Sequence, residues 1–249
     1  MNDTRILMGM PVTVEILDDS ATPDALERVY GYFQYVDNKF STYKEDSEIS
    51  RINRGELAVT EISNDMRLIF TLAEQTKLET DGYFDIVHAG RIDPSGVVKG
   101  WAIYNAAEIL RGLGFHNYYV DAGGDIQVAG RNQQGQLWRT GIRNPFNANE
   151  IVKVIGLDNC GIATSGTYIR GQHIYNPKDD EDALDQIVSL TVIGPNVYEA
   201  DRFATPAFAM GRAGIEFIER LDGFEGYMID FYGRAQFTSG FGRYVINAA

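Results

Sequence analysis

The chain has 249 residues, 44% of them hydrophobic and 23% charged, a composition that can fill a core and excludes a natively disordered chain. Thirty-five Asp and Glu against 22 Lys and Arg leave a net charge of −13, which argues against nucleic-acid backbones and anionic membranes as partners. Any phosphate ligand of so acidic a protein must be met by a local cation or by backbone donors.

Cys160 is the single cysteine, so an intrachain disulfide is excluded, and its buried-hydrophobe role outweighs a reactive one. No run of about 18 apolar residues offers a membrane span, and residues 1 to 10 carry no signal-peptide pattern. The expectation is a cytoplasmic protein with one domain over residues 1–249.

Residues 10 to 17 alternate as a half-buried strand. Residues 23 to 39 predict a helix with Leu26, Val29, Tyr30, Phe33 and Val36 on one face. Ser47 and Glu48 suit the start of a helical turn. A second long helix is expected from 64 to 80, capped by Ser63 or Asn64, with a stripe of Met66, Ile69, Phe70 and Ala73. A third is expected from 100 to 112, stopping at Gly112 and Gly114. Strands at 117 to 120 and 126 to 129 flank Asp121-Ala122-Gly123-Gly124-Asp125. Further strands are expected at 137 to 142, 151 to 157 and 187 to 194. A helical stretch from 198 to 220 breaks near Gly211 or Gly214, and a hairpin about Tyr232-Gly233 closes the chain. Without regular βαβ alternation the fold class is α+β, with mixed or antiparallel sheets and packed helices.

Several segments carry groups fit for chemistry, each with a plainer alternative. Asp81-Gly82-Tyr83-Phe84-Asp85 is either a helix cap with core aromatics or a ligand-facing cluster. In Asp93-Pro94-Ser95-Gly96-Val97-Val98-Lys99-Gly100, a Ser-Gly pair before a helix suits an anion site, and Lys99 adds a cation; a simple turn accounts for it equally well. Gly123-Gly124 permits a sharp turn or close approach to a ligand. Residues 163 to 168 gather hydroxyls around Gly166, either for a ligand or for a turn. Of the three histidines, His88, His116 and His173, the last lies outside any apolar stripe and is the best general-base candidate, with a hydrogen-bonded structural histidine as the plainer reading. Asp201 and Thr205, four apart, share a helix face and offer oxygen ligands for a hard cation; Asp201 also fits a first-turn dipole partner. Tyr43 is an exposed loop aromatic or a stacking platform.

The order of these segments is more specific than any one of them. Met8-Gly9, Ser41-Thr42-Tyr43 with Ser47-Glu48-Ile49 and Ile52-Asn53, Gly82-Tyr83-Phe84-Asp85, Asp93 with Lys99-Gly100, Gly123-Gly124-Asp125, Thr164-Ser165-Gly166 with Tyr168, His173-Ile174, and Ala200-Asp201 with Thr205 succeed one another along the chain. In this order they resemble the motifs of ApbE-type FAD:protein FMN transferases, over residues 8 to about 211. The resemblance implies that family's T-fold-like α+β arrangement, with FAD as substrate and Mg²⁺ as cofactor. It puts Met8, Tyr43, Tyr83, Phe84, Asp85, Asp93, Lys99 and His173 against FAD. The metal would fall to the side chains of Asp201 and Thr205 and the carbonyl of Gly96.

The activity so implied is transfer of FMN from FAD to a Ser or Thr hydroxyl of an acceptor flavoprotein, with release of AMP. Asp201 would act through the metal and His173 as base. FAD hydrolysis to FMN and AMP, and FAD binding without chemistry, are the alternatives. There are departures from the family pattern. Only seven residues separate Asp85 from Asp93, where relatives often carry a long insertion, and Asn176-Pro177 stands where Asp-Pro is common. Pro206 also restricts Thr205 and works against a continuous helix there.

Overall fold

The computed structural model describes residues 1–58, 60–166, 175–178 and 186–246. His173, Tyr168 and Ile174, singled out above, lie outside the described residues, as does the end of the 163 to 168 segment.

The chain opens with a hairpin, β1 (Asn2–Leu7) and β2 (Met10–Ile16), turned by Met8 and Gly9 at φ 52° and 73°. Helix α1 (Pro23–Phe40) follows and buries the whole expected face, Leu26, Val29, Tyr30, Phe33 and Val36. In the short helix α2 (Glu48–Asn53) Ser47 is the cap, its hydroxyl taking the Ser50 amide at 3.1 Å. Helix α3 (Asn64–Glu79) is capped in the same way by Ser63. A two-residue-strand hairpin, β3 (Val87–His88) and β4 (Arg91–Ile92), turns at Ala89-Gly90 and leads into α4 (Ser95–Gly112).

The second half begins with β5 (Tyr118–Ala122) and β6 (Asp125–Ala129). The hairpin β7 (Trp138–Asn144) and β8 (Asn147–Leu157) forms its own small sheet. Then come β9 (Gly161–Gly166), β10 (Ile187–Gly194), α5 (Val197–Ala209), α6 (Ala213–Glu219), β11 (Glu225–Asp230), β12 (Ala235–Phe237) and a final 3-10 turn (Phe241–Tyr244).

Eight strands form one sheet in the order β1-β2-β5-β6-β9-β10-β11-β12, every pairing antiparallel. Side-chain alternation along β10 divides the core: Leu190 and Val192 meet α5 and α6, while Ile193 faces the β7–β8 layer. A third cluster joins β2 and β5 to α1, α3 and α4. Among the described residues no helix is long and apolar enough to cross a membrane.

The structure departs from the sequence expectations at three points near the cleft. Helix α4 begins at Ser95, five residues earlier than expected, with the Val97 and Val98 amides both bonded to the Pro94 carbonyl at 3.0 Å. β-branched Val97 and Val98 are poor helix formers, but both are buried, and that packing overrides propensity. Residues 163 to 166 are not a turn but the end of β9, paired with β10 through Thr164 and Thr191. Pro206 does not interrupt α5, which runs unbroken from Val197 to Ala209; the break falls after Met210, at Gly211.

Candidate functional site

Helices α4 and α5, the β5–β6 turn, the end of β9 and the β3–β4 hairpin enclose a cleft of about 550 Å³. That volume lies in the range of small-molecule sites.

At its floor lies a buried charge cluster. Lys99 reaches from α4 to two carboxylates, with Nζ 2.5 Å from Asp125 Oδ2 and 3.2 Å from Asp201 Oδ1. Asp201 and Asp125 are each 2% exposed. The other oxygen of each is held by backbone: Asp201 Oδ2 accepts the Gly100 amide at 2.8 Å and Asp125 Oδ1 accepts the Thr164 amide at 3.0 Å. Burial pushes the Asp201 carboxyl up to about 7, against the pull of Lys99, with the Asp125 charge adding to the rise.

Close packing of α4 on α5 creates this geometry. A Cβ on Gly100 would stand 2.6 Å from the Asp201 Cβ, so only glycine lets the two helices meet with the carboxylate against the amide. One helical turn beyond Asp201, Thr205 also lines the cleft, its hydroxyl 3.4 Å from Ser165 Oγ of β9. The Gly100 amide is the one that regularly serves the Gly96 carbonyl in a helix, so that carbonyl lies on the same side of α4 as Asp201.

The remaining expected residues fall into two groups. Tyr83, Phe84, Asp85, Asp93, Gly96, Lys99, Asp201 and Thr205 line the cleft together, with Tyr43 almost fully exposed at its rim. Met8 is not among the lining residues; it packs against the core from the β1–β2 turn. Asp85 and Asp93 are engaged locally. The Asp85 carboxylate takes the Lys77 ammonium at 2.6 Å and the Val87 amide at 2.8 Å, and Asp93 Oδ1 takes the Ser95 amide at 3.0 Å. The start of α4, expected to cradle an anion, is therefore met first by the protein's own carboxylate.

Three further residues at the cleft have no individual role in the sequence reading. Asp125 was legible only as part of a glycine turn. His88 lines the cleft with its ring 4.0 Å from that of Tyr175, whose hydroxyl donates to the Asp85 carbonyl at 2.6 Å. Ser165, partner of Thr205, belongs to a hydroxyl cluster that the sequence reads as facing either a ligand or a turn. The first two carried no periodicity to mark them.

Among the described residues no three His, Cys, Asp or Glu side chains converge as a metal cluster. At its floor the cleft brings together the Asp201 and Asp125 carboxylates and the Lys99 ammonium, with the Thr205 hydroxyl one turn on, oxygen donors of the kind a hard cation takes.

Comparison with known proteins gives the family. The ApbE family profile matches residues 8–91 and 86–228, and the chain belongs to the ApbE family. It is 27% identical to a Haemophilus influenzae protein named FAD:protein FMN transferase, over 82% of this chain and 79% of the relative. A Salmonella typhimurium protein of the same name is 25% identical, over 88% and 80% respectively. The fold matches the flavin transferase ApbE from Vibrio cholerae with TM-score 0.85 at 22% identity, covering 98% of both chains. It also matches the ApbE protein of Thermotoga maritima with TM-score 0.88 at 20% identity, covering 99% of both.

Proposed function

We propose that this protein moves the FMN half of FAD onto a serine or threonine hydroxyl of an acceptor flavoprotein and releases AMP, with Mg²⁺ held at Asp201. The carrying observation is the buried Asp201 carboxylate, flanked by Lys99 and one turn from Thr205, on a cleft lined by aromatics. Membership of the ApbE family, with relatives named FAD:protein FMN transferase, supports the same reading.

The residues present fit the metal. The Asp201 carboxylate, the Thr205 hydroxyl and the Gly96 carbonyl are the hard oxygen donors Mg²⁺ takes. The Lys99 ammonium between two buried carboxylates supports a preference for positive charge at that spot. Bound there, Mg²⁺ would neutralise pyrophosphate charge and hold its oxygens in position.

The chain's own groups account for the rest. Tyr43, Tyr83 and Phe84 offer flat apolar faces for the ring systems of FAD. Lys99 faces the phosphates, and together with the bound cation it would offset their charge inside so acidic a protein. The acceptor hydroxyl oxygen forms a bond to the FMN phosphorus as the bridging P–O bond breaks, and AMP departs with that electron pair. His173, outside the described residues, is the proposed acceptor of the hydroxyl proton.

The test is incubation with FAD, Mg²⁺ and a candidate acceptor, read by in-gel flavin fluorescence and by mass spectrometry of the acceptor. Covalent flavin on the acceptor with AMP in solution supports transfer. FMN and AMP without covalent flavin would identify a hydrolase, and intact FAD a binding protein.

A further inference from the structure

Resting on the metal site proposed at Asp201, we propose that Asp125 is a positioning residue for Lys99: its carboxylate is the fixed partner that keeps the ammonium seated toward the substrate phosphates once Asp201 is engaged by a cation.

The geometry of the three groups is unequal. Asp125 is fixed from two sides, by its place in β6 beside the Gly123-Gly124 turn and by the Thr164 amide on Oδ1. Oδ2 has the Lys99 ammonium at 2.5 Å and no hydrogen bond beyond that ion pair. The contact from Lys99 to Asp201 is longer, 3.2 Å, and Asp201 has the Gly100 amide as an independent anchor. Asp201 is thus free to exchange the ammonium for another cation, whereas Asp125 has nothing else to pair its buried Oδ2. Two carboxylates and one ammonium leave a single negative charge at the floor of the cleft. A divalent ion on Asp201 repels Lys99, and the Asp125 carboxylate, 2.5 Å from the ammonium, opposes its displacement toward solvent. A lysine tethered in this way loses less side-chain freedom when it meets phosphate than one without a partner.

The direct field of Asp125 on an anionic substrate is repulsive, so its loss by itself would favour FAD. A tethering role has the opposite sign, and the two can be separated. FAD affinity is measured by flavin fluorescence at saturating Mg²⁺ for the parent, Asp125→Asn, Lys99→Met and the double variant. Asparagine keeps an acceptor for the Thr164 amide. In the parent background Asp125→Asn should weaken FAD binding about tenfold, the scale of one charge-assisted hydrogen bond held out of place. In the Lys99→Met background the same change should leave FAD affinity unaltered or improve it. Weaker binding in both backgrounds would reduce Asp125 to a structural role and overturn the inference, as would unchanged binding in the parent. If Asp125→Asn alone does not fold, the same pair of backgrounds is read with Asp125→Ser, whose hydroxyl can still accept the Thr164 amide: weaker binding only where Lys99 is present supports the tether, and any other pattern overturns it. FAD binding by the parent that does not respond to Mg²⁺, or responds equally in Asp201→Asn, would instead defeat the metal site on which the tether rests.

Discussion

The Gly100 amide donates to Asp201 Oδ2 at 2.8 Å, joining two helices at residues 101 apart in sequence. That bond depends on the missing side chain, since a Cβ at Gly100 would also stand 3.0 Å from the Val197 carbonyl oxygen. Gly100→Ala should therefore separate α4 from α5, at a cost of about 1–3 kcal/mol for overpacking. Flavin transfer should fall by about a hundredfold, because a small displacement of a group that orients the reactants has that scale of effect. Thermal melting and a transfer assay check both, and a variant as stable and active as the parent would refute the close-contact account.

Asp201→Asn tests charge separately from shape. The amide is of similar size and its oxygen still accepts from Gly100, so the fold should hold. Transfer should drop by about a hundredfold or more, the range for loss of one electrostatic contributor at a reacting centre, and added Mg²⁺ should no longer stimulate what remains. A Mg²⁺ titration of the two proteins side by side is the measurement. Normal Mg²⁺ stimulation in the variant would move the metal elsewhere.

Much of this site was legible in the sequence because its parts are local. Asp201 and Thr205 are one helical turn apart and Lys99-Gly100 lies in the first turns of α4, so spacing raised them as candidates with plainer alternatives, and the order of the motifs along the chain gave them roles. The periodicity of α1 and α3 was equally plain: the whole expected face of α1 is buried, as are Met66, Ile69 and Ala73 of α3, with Phe70 half-buried beside them. What spacing could not show was contact between distant segments. Asp125 gains its meaning only when β6 is brought beside α4, and Ser165 only when β9 lies against α5. The start of α4 was misplaced because Val97 and Val98 resist helix locally and are held in it by burial. The β3–β4 hairpin, with two residues per strand and every residue of its turn exposed, has no hydrophobic pattern to detect.

Arg202 follows Asp201 directly and is 6% exposed, with its guanidinium paired to Glu79 of α3 and to Glu199, and 4.1 Å over the Phe203 ring. Arg202→Met keeps length and apolar packing but leaves both carboxylates without their partner. Glu79 retains solvent access, so the cost should be about 1–3 kcal/mol, the value for hydrogen bonds to charged groups, and below that of a fully buried ion pair. Urea unfolding gives the number directly. A midpoint unchanged from the parent would mean that this network contributes nothing to the α3–α5 contact.

Protonation of Asp201 should couple metal binding to pH. Burial raises its carboxyl to about 7 in the metal-free fold, whereas an unfolded chain holds it near the ordinary aspartate value. Between those values folding takes up a proton, so the stability this group contributes is present in acid and is lost as pH rises toward 7. A metal ligand must be the ionised form, so the stabilisation added by Mg²⁺ should grow with pH over the same window and level off above it. Melting temperatures with and without Mg²⁺, from about pH 5.5 to 8.5, should therefore diverge in the parent and run parallel in Asp201→Asn. A Mg²⁺ effect in the parent that is constant across that range would show that Asp201 is already ionised in the metal-free cleft, with Lys99 and the Gly100 amide outweighing its burial.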